Sequence, residues 1–255
     1  MEPASPVPAI RTTRSMETTA YIALSRQTVL RRQMDIIANN IANMTASGFK
    51  AEAMLLEPVV VGGGHGQRLA FVQDVATIRD LDPGTITTTG NPLDLAIEGQ
   101  GYFVVETPDG ARYTRSGQFR LNDAREVVTA DGHPVLDDGG GPLVVPPESA
   151  ALSIAGDGTV SSAQGVLGRI DLVTFQNEER LEKAGGSLYR TEQQAVPADG
   201  ARVVQGALEG SNVQPILEMT RMMTTVRAYQ GTQRLLDAHH EMQRRAIEKM
   251  LESAG

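Results

Sequence analysis

Residues 215–250 read PILEMTRMMTTVRAYQGTQRLLDAHHEMQRRAIEKM. Within them Met219, Met222, Val226, Tyr229, Gln233, Leu236, His240, Gln243, Ile247 and Met250 recur in steps of three and four. That spacing keeps one stripe on one side of a helix, and its length over roughly four heptads marks a coiled-coil seam. Gln233, His240 and Gln243 are polar interruptions that set register at some cost in stability. Pro215 stands where a first-turn proline belongs, because its missing N–H would have no helical partner there.

The other end of the chain repeats the pattern. Ala20, Ala23, Gln27, Leu30, Met34, Ile37, Ile41 and Met44 line one face of a second helix, expected over residues 16–48. Ser47-Gly48 supplies its stop. Residues 1–15 contain Pro3, Pro6 and Pro8 and little apolar content, so they are expected to be disordered. A translation start at Met16 is the alternative reading of that segment.

Between the helices the period changes. Leu93–Val105, Val127–Leu136, Leu143–Val145, Leu152–Val160 and Ile170–Phe175 read as short strands. Asn91-Pro92, Asp109-Gly110, Asp131-Gly132, Gly139-Gly140-Gly141 and Asp157-Gly158 separate them, which is hairpin chemistry. Glycine is abundant, 26 of 255 residues, as many tight turns require. The expected fold is mainly β with α-helical termini. A central antiparallel β domain spans residues 90–205. An extended arm spans residues 49–89, and residues 206–255 form a linker and the C-terminal helix, which pairs with the N-terminal one as a coiled coil.

Composition narrows function. Hydrophobic residues are 40% of the chain, enough for a core, yet aromatics are 4% and Trp is absent. A net charge of −8 disfavours a phosphate-backbone partner, which calls for a basic face. With no cysteine there is no disulfide, thiolate nucleophile or Cys metal site. No apolar run reaches membrane-spanning length, and residues 1–15 have no signal-peptide h-region. Gly62-Gly63-Gly64-His65-Gly66 lacks the G-K-[ST] of a phosphate loop and reads as a flexible loop. His65, His133, His239 and His240 have no ligand spacing, and Asp80, Asp82, Asp94, Asp137 and Asp138 read as turn residues. Neither catalytic residues nor a cofactor, metal or small-molecule substrate are expected. Two long helices with apolar stripes indicate a chain built to join an assembly.

Several short blocks follow one another along the chain. Asn39-Asn40-Ile41-Ala42-Asn43 leads through Thr45 and Ser47 to Gly48-Phe49-Lys50. Next come Gly90-Asn91-Pro92-Leu93-Asp94-Leu95-Ala96-Ile97 with Gly99 and Gly101-Tyr102-Phe103, and then Tyr113-Thr114-Arg115-Ser116-Gly117 with Phe119. Phe175, Asn177, Leu181, Lys183, Gly185 and Leu188-Tyr189 follow. Gln205-Gly206-Ala207-Leu208-Glu209-Gly210-Ser211-Asn212-Val213 precedes the last helix, which holds Glu218-Met219 and Arg227-Ala228-Tyr229. In this order the blocks resemble those of the flagellar rod, hook and hook-associated proteins; the departures are Met44, Ala46, Glu98 and Gln100, none at a glycine.

The resemblance implies a structural axial subunit. It implies export through the flagellar type III apparatus and assembly in the periplasmic rod with other rod proteins and copies of itself, with motor torque passed to the hook. The opening residues Met16–Gln33 resemble proximal-rod members, with distal-rod members as the alternative. The implied assembly contacts are Leu30, Met34, Ile37, Asn39, Asn40, Ile41, Asn43, Met219, Met222, Val226, Tyr229 and Leu236. The implied structural motif residues are Gly48, Phe49, Asn91, Leu93, Asp94, Gly99, Gly101, Gly206 and Asn212. A β-domain enzyme or carbohydrate-binding module with helical extensions, and a coiled-coil adaptor, are the competing classes.

Overall fold

The computed structural model describes residues 10–62, 68–147 and 152–253, and the side chains of residues 21–56, 76–147 and 152–252. The loop expected around Gly63–Gly66 lies outside the described residues. The chain folds into two units. One is drawn from the chain up to Ile41, Glu52–Ile78 and the chain from Pro215 onward; the other comprises Ala42–Ala51 and Arg79–Gln214.

The first unit holds two long helices and a hairpin. Helix α1 spans Ile10–Ala42 and helix α2 spans Pro215–Ser253. Helix α1 therefore starts ahead of the Met16 read from the sequence, and residues 10–15, expected to be disordered, are helical. Residues 1–9 lie outside the description. The expected arm is a paired element: strands Glu52–Gly62 and Arg68–Arg79 form a two-stranded sheet. Pairing satisfies backbone donors and acceptors that a lone extended arm would leave to water.

The second unit is antiparallel β. Its largest sheet runs Glu182–Lys183, Leu188–Arg190, Gly110–Thr114, Tyr102–Thr107, Leu172–Thr174, Val196–Pro197. A three-stranded sheet runs Gly165–Arg169, Thr159–Ser162, Leu152–Ile154. Three two-stranded ladders complete it: Leu95–Glu98 with Arg202–Gln205, Ile86–Thr88 with Ala207–Glu209, and Phe119–Leu121 with Val127–Thr129. The unit thus reaches beyond residues 90–205 at both ends.

The run read as one strand over Leu93–Val105 is two, broken at Gly99–Gly101, where both glycines have positive φ. Likewise Leu152–Val160 is a hairpin folded at Asp157-Gly158, and Leu143–Val145 carries only an isolated bridge at Val144. Strand Tyr102–Thr107 is the centre of the unit. Its period-two alternation sends Phe103 and Val105 into a cluster with Leu95, Phe119, Val135 and Ile170, while Tyr102 and Val104 join Val173, Phe175, Leu181 and Tyr189 on the other face. Both faces are covered, which explains an apolar run without polar alternation.

Candidate assembly site

Helices α1 and α2 are antiparallel: Gln27 donates from Nε2 to Gln233 Oε1 at 2.5 Å, and Asn40 donates from Nδ2 to Glu218 Oε2 at 3.4 Å. On α1 the buried line is Ala23, Leu30 and Ile37, with Gln27 and Met34 half-buried between them and Ile41 half-buried beyond. These positions belong to the stripe read from the sequence.

On helix α2 one half of the expected stripe holds and the other half is displaced by one residue. Its buried residues are Glu218, Thr225, Thr232 and His239, one per heptad, with Met222, Tyr229, Leu236 and Gln243 half-buried between them. Met219 is 49% exposed, and Gln233 and His240 also face outward; Val226 is half-buried. The reason lies in hydrogen bonding. Glu218 is drawn inward by Asn40 and held by Arg221 at 2.6 Å. Thr225 donates to Arg221 O at 2.9 Å and Thr232 to Ala228 O at 3.0 Å, so both hydroxyls are satisfied within their own helix and can be buried. Ile216, Met219, Met223, Leu235, Met242, Ile247, Met250 and Leu251 are left outside.

Asn40 is the buried member of the asparagine triplet; Asn39 is exposed and Asn43 half-buried. Its Oδ1 accepts from Glu52 N at 2.9 Å and its Nδ2 donates to Glu52 O at 2.8 Å. The amide therefore mimics a strand neighbour for the start of the hairpin.

In the β unit, the motif residues collect where the chain segments that lead to the helices and the hairpin begin. Gly48 has φ +67° and donates its N–H to Glu209 O at 2.8 Å. Phe49 is buried, with the Lys183 ammonium 4.6 Å from its ring centre. Lys50 Nζ donates to Glu209 Oε1 at 2.7 Å and to Asp82 O at 2.8 Å. Arg115 Nη1 lies 3.6 Å from Glu209 Oε2, and its Nη2 donates to Gly99 O at 2.7 Å. Asn212 accepts from Ala51 N at 2.7 Å and donates to Asp80 O and Asp82 O, each at 3.0 Å.

The second motif group sits further along the same unit. Asn91 donates to Asp94 Oδ1 at 3.0 Å, Leu93 is half-buried, and buried Asp94 accepts at its carbonyl from Gly206 N at 2.8 Å. Gly99 is exposed and Gly101 buried. Tyr102 donates to Glu178 Oε2 at 2.9 Å; burial, then the Glu178 carboxylate, push its phenol pKa well above the usual range.

Lys50, Arg115 and Glu209 were not singled out from the sequence, although each lies in a recognised block. A charged residue inside Ala207-Leu208-Glu209, a strand otherwise apolar, was the available signal; its partner stands 159 positions away. The aspartates take turn and ion-pair roles: Asp137 accepts from the N–H groups of Gly139 and Gly141, and Asp138 pairs with Arg169. Among the described residues no group of three or more His, Asp or Glu side chains has metal-holding geometry. No described helix is long and apolar enough to cross a membrane.

Three family models match the chain: a flagella basal body rod protein model over residues 21–50, a flagellar hook protein FlgE/F/G D1 domain over residues 96–162, and a flagellar basal body rod FlgEFG C-terminal model over residues 204–249. The flagellar basal-body rod protein FlgF of Caulobacter vibrioides is 39% identical over 242 residues, covering 92% of this chain and 98% of the relative. The FlgF of Mesorhizobium japonicum is 35% identical, covering 87% and 92%. The flagellar basal-body rod protein FlgG of Bacillus subtilis is 33% identical, covering 87% and 95%. With helical termini flanking an antiparallel β unit and all three models matched in order, the chain belongs to the flagellar basal-body rod protein family and within it is most like the FlgF type.

Proposed function

We propose that this rod subunit is exported through the flagellar type III apparatus and assembles in the periplasm as part of the proximal rod. There it contacts other rod proteins and copies of itself and passes motor torque to the hook. The outward face of α2 supports this reading: the helix buries a polar line and leaves Met219, Met223, Met242 and Ile247 about half exposed or more. Burying such side chains is worth about 1.5–3 kcal/mol each, and contact with a neighbouring subunit would supply it. The role is mechanical, with no reaction assigned.

The test is complementation of a strain lacking the chain with the Met223→Asp/Ile247→Asp variant, alongside unfolding of the purified protein. Stability should change by less than about 1 kcal/mol, because both sites are exposed, while swimming is lost. Normal swimming at normal protein levels would refute assembly through this face.

A further inference from the structure

The charge cluster of the β unit draws its members from distant parts of the chain. Lys50 lies ahead of every strand of the unit, Arg115 follows strand Gly110–Thr114, and Glu209 ends the last strand. The Lys50, Arg115 and Glu209 side chains are 2%, 5% and 1% exposed. Among the described residues Glu209 supplies the carboxylate for both cations. The same residue also accepts from Gly84 N at Oε1 (3.0 Å), and its carbonyl accepts from Gly48 N (2.8 Å) and Ser47 Oγ (3.2 Å).

We propose that Glu209 is the closing latch of the β unit. Before it docks, closing the unit would bury two cations without a counter-charge, at a cost comparable with the whole net stability of a domain. The strand pairing points the same way. Ile86–Thr88 and Leu95–Glu98, the first strands of the unit, pair with Ala207–Glu209 and Arg202–Gln205, its last. The unit closes only when the chain is present through residue 209, and closure orders residues 47–51 and 80–84. The latch deepens the proposed function: a chain that travels unfolded benefits from a domain that stays open until its C-terminal part has passed. Its physics does not depend on that function.

The experiment is equilibrium and stopped-flow unfolding of the full chain in urea, for the natural sequence, Glu209→Gln, Lys50→Met and Lys50→Met/Glu209→Gln. The latch predicts that Glu209→Gln lowers the folding equilibrium constant at least 100-fold. The loss should appear mainly in the unfolding rate, with refolding changed less than about threefold, because a contact made last is absent from the transition state. The double variant should recover at least tenfold over Glu209→Gln, since it removes a stranded cation. If Glu209→Gln fails to fold, recovery of a cooperative transition in the double variant supports the latch, and failure of both overturns it. An unchanged equilibrium constant, a loss carried by the refolding rate, or no recovery in the double variant likewise overturns it. Each outcome is read on purified protein and leaves the rod assignment, tested by swimming, untouched.

Discussion

The side-chain amide of Asn40, near the end of α1, closes a two-way hydrogen bond with the backbone of Glu52, the first residue of the hairpin, at 2.9 and 2.8 Å. One side chain thereby serves both the backbone donor and the backbone acceptor of Glu52. Replacing Asn40 by Ala removes both hydrogen bonds at a partly buried site. The expected loss is about 1–3 kcal/mol in urea unfolding of the full chain. Faster amide exchange at Glu52 should accompany it. Asn40→Asp keeps the acceptor but sets a carboxylate against Glu218 and the Glu52 carbonyl, so it should lose at least as much as Asn40→Ala; an Asn40→Ala protein as stable as the parent would show the amide to be dispensable.

Gly48 combines two constraints. Its φ is +67°, and a Cβ there would stand 2.4 Å from the Arg115 carbonyl carbon and 2.5 Å from Ser116 N, both backbone. Gly48→Ala should therefore cost about 3 kcal/mol or more, the sum of αL strain and backbone overlap. At Gly101, φ is +156° and the nearest atom to a new Cβ is the Ala198 side chain at 3.2 Å. Gly101→Val should damage the β unit, but its milder surroundings rank it below Gly48→Ala. Thermal unfolding of the two variants gives the order directly.

His239 sits in the α2 seam, 7% exposed, and among the described residues neither ring nitrogen has a hydrogen-bond partner. A buried polar group without a partner is better replaced by an apolar one of similar size. His239→Leu should raise the stability of the isolated chain by about 1 kcal/mol. Helicity followed by circular dichroism during heating measures it, and a lower transition temperature would mean that the imidazole is satisfied. His240 is exposed, and His240→Ala should leave stability unchanged.

Asp171 is a half-buried carboxyl whose pKa is raised, first by burial and then by Asp138, with Arg169 opposing. A carboxyl that binds its proton more tightly when folded contributes stability below its unfolded pKa and loses it as pH rises through the folded value. At pH 7 the folded protein therefore bears a small penalty. Asp171→Asn should raise stability at pH 7 by less than about 1 kcal/mol, the group being half solvated, and should confer no gain at pH 3. Denaturant midpoints at the two pH values test the sign.

The sequence alone determined the two terminal helices, the β character between them and the positions of most turns. Those features are written locally: steps of three and four in α1 and α2, D-G pairs at Asp109-Gly110 and Asp157-Gly158, and a proline at the start of α2. Tertiary structure decided which flank of α2 turns inward. Glu218 and Met219 stand about 100° apart on the helix, and periodicity cannot choose between adjacent flanks when one carries threonines able to satisfy themselves. It also decided that the arm is a paired hairpin and that Lys50 meets Glu209 across 159 positions. A buried charge records in sequence only that it needs a partner; which partner it finds depends on strand pairing between Ile86–Thr88 and Ala207–Glu209, a contact that no local pattern encodes.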